Sequence, residues 1–532
     1  MTFALRIYIR EGNEQMKKSG EKQTVFYLSL IITAAIAIWA LVGKESFTKV
    51  SDFVFNFFTQ EFGWLYLIAM FGFVAFVVVL AFSKWGNIRL GPDDSKPEYN
   101  TVSWFAMLFG AGMGVGLVFW GISEPLSHYI APISGIEPAS PAAADFAIRS
   151  SFMHWGIHPW ANYAIIGLAL AYFQFRKNKP GLISTILEPV MGTKKPHTGL
   201  RHLVDVLAVF ATVAGVVTSL GLGVLQINSG LNYLFGIPST LFVQIVIIAI
   251  ISVIYIWSAV SGIEKGIKLV SDANLYIALG LMLVAVLIGP KIEIINNLVN
   301  GVGQYIGNFI QDSLSISSYG DSSWVQKWRV FYWSWWIAWA PFVGIFIARI
   351  SKGRTIREFI AGVVLAPTLG SLIWFAIFGT LGIHLGATGQ LLTSEMEEVV
   401  NTPEVGLFVV MQKYPFSIVL CIVAIVLLCT FFITSANSGT FVLSMLTSNG
   451  NLNPPNGKKV LWGVLQSILA VGLLIAGGLN PLQSISIAAA FPFIFIMLLT
   501  CISMVKALKQ EKLDTSKEVQ QQPEKVSEES NQ

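Results

Sequence analysis

From Thr24 to Lys506 the chain alternates between long apolar runs and short polar connections, and that alternation leaves few folds open. In lipid, every backbone N–H and C=O must be satisfied within the crossing element, so a helix needs about 20 mostly apolar residues to span. Twelve runs qualify, over roughly 24–43, 62–82, 101–130, 142–175, 203–230, 239–258, 268–289, 328–350, 359–383, 407–446, 459–478 and 481–506. Charged residues are 12% of the sequence, against about 25% in soluble domains. The fold class is therefore an all-α polytopic membrane protein with 12 transmembrane helices. No stretch can hold a soluble catalytic domain. The run after the polar segment 1–23 lacks a small-residue cleavage site and reads as a retained span.

Lysine and arginine set the orientation. With the N-terminus in the cytoplasm, 27 of the 34 basic residues fall in cytoplasmic segments. Six fall outside: Lys44, Lys49, Lys291, Lys327, Arg329 and Lys413. This bias predicts both termini cytoplasmic and an even number of spans. The net charge of +4 is spread along the chain and forms no nucleic-acid patch. Cys421, Cys429 and Cys501 lie in apolar runs, and the six histidines show no metal-ligand constellation, so neither a disulfide framework nor an enzyme is expected. The connection 290–327 suits an amphipathic helix in the interface. The polar tail 508–532 reads as disordered or fraying, and its lysines are too interleaved with acids to read anionic lipid.

Within the eighth run, Phe331-Tyr332-Trp333-Ser334-Trp335-Trp336-Ile337-Ala338-Trp339-Ala340-Pro341-Phe342 holds four of the 16 tryptophans. Trp335 and Trp339 (i, i+4) and Trp336 and Trp339 (i, i+3) share a helix face. Bulky packing explains any one of these rings, but the group predicts a cation site, since π-faces attract a cation that donates no hydrogen bond. Pro341 removes a backbone donor, so the helix is expected to bend or open there.

The third run contains Gly110-Ala111-Gly112-Met113-Gly114-Val115-Gly116, a poor sequence for a continuous helix. Small-residue helix packing is one reading. The other is an unwound segment whose backbone faces a cavity. Interrupted helices five spans apart would open two repeats, spans 3–7 and 8–12, the pattern of a secondary transporter with a midplane site. The organisation is then 1–23 cytoplasmic, 24–100 two peripheral helices, 101–289 and 328–507 the repeats, with 290–327 between them and 508–532 the tail. Glu124-Pro125 closes the third run as a cap or gate and is assigned no chemistry. Arg149, Asp145, Asp205 and Asp272 lie near span ends and read as pairing residues.

The glycine motif, the segment His154-Trp155-Gly156-Ile157-His158-Pro159-Trp160-Ala161-Asn162-Tyr163, and Phe331 to Arg357 together resemble the betaine–choline–carnitine transporter family, in particular its Gram-positive glycine betaine carriers. The resemblance implies a leucine-transporter-type inverted repeat preceded by two extra helices. It implies sodium-coupled uptake of glycine betaine for osmoprotection across the bacterial plasma membrane, by alternating access and with no cofactor beyond the coupling ion. Homotrimers are frequent in such proteins. Carried onto this chain, it implies a substrate cage of Trp155, Trp160, Tyr163, Trp335, Trp336 and Trp339, with Gly112, Met113 and Gly114 meeting the substrate carboxylate. It implies a sodium site at Gly110, Met113, Phe431, Thr434 and Ser435. A second sodium site would use Thr212 and Phe342, but Val216 stands where another threonine is expected. His154 and His158 flank the rings and read as structural histidines. The alternative is a choline or carnitine transporter, proton-coupled or an exchanger. A channel would need a continuous polar pore, which the interrupted helices argue against.

Overall fold

Apolar runs of this length satisfy their own backbone only as helices. The computed structural model describes residues 23–112, 114–192, 198–261 and 264–511. Among them the elements are helical, and the β pairing is an isolated bridge between Arg89 and Thr355. Among the described residues ten helices are long and apolar enough to cross a membrane, from Gln23–Val42 to Leu479–Lys509. An eleventh crossing is available if Thr101–Gly110 and Val115–Ile130, bent by 64° at their break, act as one.

The run 142–175, expected as one span, is divided. Pro141–Trp155 and Ile157–Ala171 meet at Gly156, whose φ of −88° and ψ of −127° are not helical. A Cβ there would lie 2.5 Å from the Phe152 carbonyl oxygen and 2.7 Å from the Tyr305 hydroxyl, so only glycine fits. Pro159 follows in the first turn of the new helix, where a missing N–H costs nothing.

The opposite correction applies to Pro341. The helix Phe331–Ile350 runs through it without interruption, preceded by a π-helical turn over Val325–Val330. One lost N–H donor is tolerated where neighbouring helices enclose the backbone. The second helix, Lys44–Phe82, has 39 residues and starts well before the apolar run at 62. At about 1.5 Å per residue it exceeds the hydrocarbon thickness and extends beyond it. The tenth run divides at Phe416, with φ of 62°, into Gly406–Met411 and Ser417–Leu446. The connection 290–327 contains the helices Lys291–Gly307 and Phe309–Leu314.

Thr198–Phe235 and Val325–Ile350 are largely buried, whereas Gln23–Val42, Leu241–Ser261 and Leu269–Ile288 keep most of their apolar surface exposed, as lipid-facing helices do. Ile157–Ala171 and Phe331–Ile350 approach closely at Gly167 and Gly344. A Cβ on Gly344 would stand 3.0 Å from the Gly167 amide nitrogen. Small residues here let two ring-bearing helices face each other. Arg149 pairs with Asp312 at 3.0 Å, Asp145 accepts from Asn300, and Asp205 accepts from the Ser184 amide and hydroxyl, which accounts for three of the four ionisable residues near span ends.

The last helix is tied down at its end. Glu511 accepts from Arg176 (2.9 Å), Lys177 (2.6 Å) and Tyr172 (2.6 Å), and Arg176 continues to Asp93 at 2.7 Å. Burial raises the Glu511 carboxyl, but the bonds from Arg176, Lys177 and Tyr172 outweigh it and bring it down to about 2. Its stabilising contribution is thus full above the ordinary carboxylate value and is lost as pH falls through about 2. Residues 512–532 of the expected tail, and 1–22, lie outside the described residues. A chain ending after Lys506 is expected to melt earlier at neutral pH than one ending after Glu511, by a loss of about 1–2 kcal/mol. Equal melting points in detergent would mean that the anchor contributes nothing.

Candidate functional site

The glycine-rich segment does break its helix. Thr101–Gly112 stops, Gly114 adopts extended backbone (φ −155°, ψ −174°), and Val115–Ile130 begins. The first amides of that helix have no intrahelical acceptor and carry the positive end of its dipole. Of the expected carboxylate-binding residues, Gly114 lines a cavity beside the break and Gly112 ends the preceding helix, while Met113 lies outside the described residues.

The cavity has a volume of about 810 Å³. Trp155, Trp160, Tyr163, Trp335, Trp336 and Trp339 all line it, so the structure brings the six expected rings together. Three come from either side of the Gly156 break and three from the facing helix. Trp335 and Trp336 stack at 4.9 Å and 14°. Trp155 stands edge-on to Trp336 at 4.8 Å, and Tyr163 edge-on to Trp160 at 5.5 Å. Gly116 sits between two of these rings. A Cβ there would be 2.9 Å from Cη2 of both Trp155 and Trp335. Gly215 likewise makes room for Trp339, 2.5 Å from its would-be Cβ. From the rings the cavity runs to a mouth that includes Arg349, Asn453, Asn456 and Lys459, and no carboxylate lines it among the described residues.

The indole N–H groups of Trp155 and Trp336 are held by partners that the sequence motifs do not point to. Trp155 Nε1 donates to Glu124 Oε2 at 2.8 Å, and Trp336 Nε1 donates to the His154 backbone oxygen at 2.9 Å. Glu124, given no chemistry from sequence, also accepts from the Tyr332 hydroxyl and from His154 Nδ1 at 2.7 Å, with His128 Nε2 at 3.4 Å. His158 bonds Ser313 at 3.0 Å and stacks on Trp333, a structural role. Contrary to the expectation from the histidine spacing, Glu124, His128 and His154 form a buried group with the composition of a metal site. Metal-bound histidines almost always donate their other nitrogen to an acceptor. His154 Nε2 and His128 Nδ1 have no partner, and hydrogen bonding accounts for the group as it stands.

Gly110, Phe431, Thr434 and Ser435 line the same cavity. The Thr434 hydroxyl donates within its own helix, to Thr430 O at 3.0 Å and Phe431 O at 3.1 Å, which leaves its lone pairs available. Phe342 is in the lining. Thr212 is fully buried, donates to Ala208 O at 2.8 Å, and does not line the cavity. Val216 packs against the Gly439 backbone, 3.0 Å from where a Cβ would be.

A family model described as betaine/carnitine/choline family transporter matches residues 24–513. The chain is 46% identical over 496 residues to the glycine betaine transporter OpuD of Bacillus subtilis, covering 93% of this chain and 96% of that one. It is 41% identical over 507 residues to the ectoine/hydroxyectoine transporter of Virgibacillus pantothenticus, covering 94% and 100%. It is 37% identical over 508 residues to the osmo-dependent choline transporter BetT2 of Acinetobacter baylyi, covering 94% and 73%.

Proposed function

The chain belongs to the betaine/carnitine/choline family of transporters, and we propose that it imports glycine betaine with sodium across the plasma membrane by alternating access. The observation that carries this reading is the cavity wall: six aromatic rings and, among the described residues, no carboxylate. A trimethylammonium group has positive charge and no N–H to donate, so π-faces serve it better than hydrogen-bond acceptors do. The substrate carboxylate finds its complement at the start of Val115–Ile130, where the Val115 and Gly116 amides lack intrahelical acceptors. A plain cation such as choline lacks that second attraction and gains no carboxylate partner in the wall. Arg349 and Lys459 at the mouth also favour a zwitterion over a cation.

Sodium is a hard cation and binds oxygen. The carbonyls at the broken third helix and the hydroxyls of Thr434 and Ser435 supply oxygens without a buried charge, and we place the coupling ion there. Thr212 does not line the cavity and Val216 brings no side-chain oxygen, so a second ion beside Phe342 finds less support. We count the helices divided between Gly112 and Val115 and at Gly156 as one crossing each, which gives twelve, and we infer that spans 3–7 and 8–12 form two inverted repeats. The distribution of lysine and arginine then puts both termini, and the cavity mouth, on the cytoplasmic side.

The carbon isostere of glycine betaine, 3,3-dimethylbutanoate, has the same shape and no positive charge. Calorimetric titration of the purified protein should give it an affinity about 30-fold weaker, from the roughly 2 kcal/mol of a desolvated cation–π contact. Equal affinities would contradict the cage. Gly116→Ala pushes a methyl group against two rings and should cost about ten-fold in betaine affinity, within the usual range of about 1–3 kcal/mol for overpacking. Unchanged affinity would mean that these rings do not form the binding surface.

A further inference from the structure

Glu124 is fully buried, stands outside the cavity lining, and meets the cage at the N–H edge of Trp155. We infer that Glu124 is a positioning residue that sets substrate specificity: it fixes Trp155 and enriches its π-face for a quaternary ammonium group. The inference rests on the betaine reading above.

Three connections leave this carboxylate, and each ends on a cage ring. Oε2 accepts Trp155 Nε1 at 2.8 Å directly. Oε2 also accepts the hydroxyl of Tyr332, whose ring stacks on Trp336 at 5.8 Å and 24°. Oε1 accepts His154 Nδ1 at 2.7 Å, and the His154 carbonyl in turn holds Trp336 Nε1 at 2.9 Å. The rings so tied come from two different helices, which makes Glu124 the joint between the two walls of the cage.

A carboxylate inside a membrane protein is costly, and packing alone would be served by an apolar or amide side chain. What a carboxyl group adds over an amide is a second accepting oxygen and, when ionised, charge. An indole that donates its N–H to an anion keeps more electron density on its ring, and the bond is stronger than one to a neutral acceptor. The cation–π attraction follows the negative charge on the ring face. With His128 Nε2 at 3.4 Å, four polar groups surround the two oxygens, so neither oxygen is left open to a ligand. It therefore supplies negative field without an exposed acceptor. Such an arrangement attracts a cation and gives no advantage to one bearing N–H donors.

The test is a double-variant cycle in calorimetric titrations of glycine betaine against the full chain in detergent and sodium buffer. Glu124→Gln keeps the shape and removes the charge. It should weaken betaine binding about 3- to 10-fold in the native background. In a Trp155→Phe background, which has no N–H to donate, the same change should cost clearly less, the remainder passing through Tyr332 and His154 to Trp336. Equal losses in both backgrounds, or no loss in the native one, would overturn the inference. Should Glu124→Gln not purify, 3-benzothienylalanine at position 155 replaces the indole N–H by sulfur in an otherwise native chain, with the same loss expected and an unchanged affinity overturning the role. Failure of the unaltered chain to bind betaine would count against the transport reading itself, whereas the ratio between backgrounds judges Glu124 alone.

Discussion

Replacing Trp336 by leucine is expected to weaken glycine betaine binding by about 5- to 30-fold, while phenylalanine at the same position spares most of the affinity. Leucine retains apolar bulk but has no π-face, so about 1–2 kcal/mol of cation–π attraction goes with the ring. Phenylalanine keeps a face against Trp335, which stacks on Trp336 at 4.9 Å, and against the edge of Trp155. Both variants lose the bond from Nε1 to the His154 carbonyl. That bond lies within the protein and is lost equally in both variants, so it does not separate them. Comparable affinities in the two variants, measured by calorimetry, would mean that Trp336 is packing and not part of the site.

The second large effect concerns sodium. Ser435→Ala, and more so the double change with Thr434→Ala, should raise the sodium concentration for half-maximal uptake, by about ten-fold for the pair. Thr434 donates to its own helix, so alanine there costs the fold little, whereas the ion loses an oxygen. Coupling between two bound ligands is reciprocal, so betaine affinity at low sodium should fall in step. Unaltered sodium dependence in the double variant would place the ion elsewhere.

How much of this is legible without coordinates depends on the range of the interaction. Helical spans are local events, and the apolar runs locate them, except where a single residue overrides the run. The fourth run breaks at Gly156, which only glycine can occupy because a Cβ would collide with Tyr305, about 150 positions away, although Gly156 and Pro159 are a local sign that the apolar continuity masks. Pro341 is the converse case. A local rule predicts an opening, and the enclosing helices hold the turn closed. The six rings can be named because two motifs carry them. Their assembly depends on glycines at 116, 167, 215 and 344, whose purpose appears only when the facing side chain is known. Glu124 escapes a reading of the sequence because its partners, His154, Trp155 and Tyr332, are 30, 31 and 208 positions away, and nothing in Glu124-Pro125 points to them.

If the aromatic cavity serves sodium-driven import of a zwitterion, transport itself must follow the sodium gradient. The most direct measurement is the initial rate of labelled glycine betaine uptake into liposomes containing the purified protein, with an inward sodium gradient and, side by side, an equal potassium gradient. Accumulation above the external concentration is expected with sodium, and none with potassium. Equal uptake in the two salts, or accumulation of choline in preference to glycine betaine, would contradict the assignment.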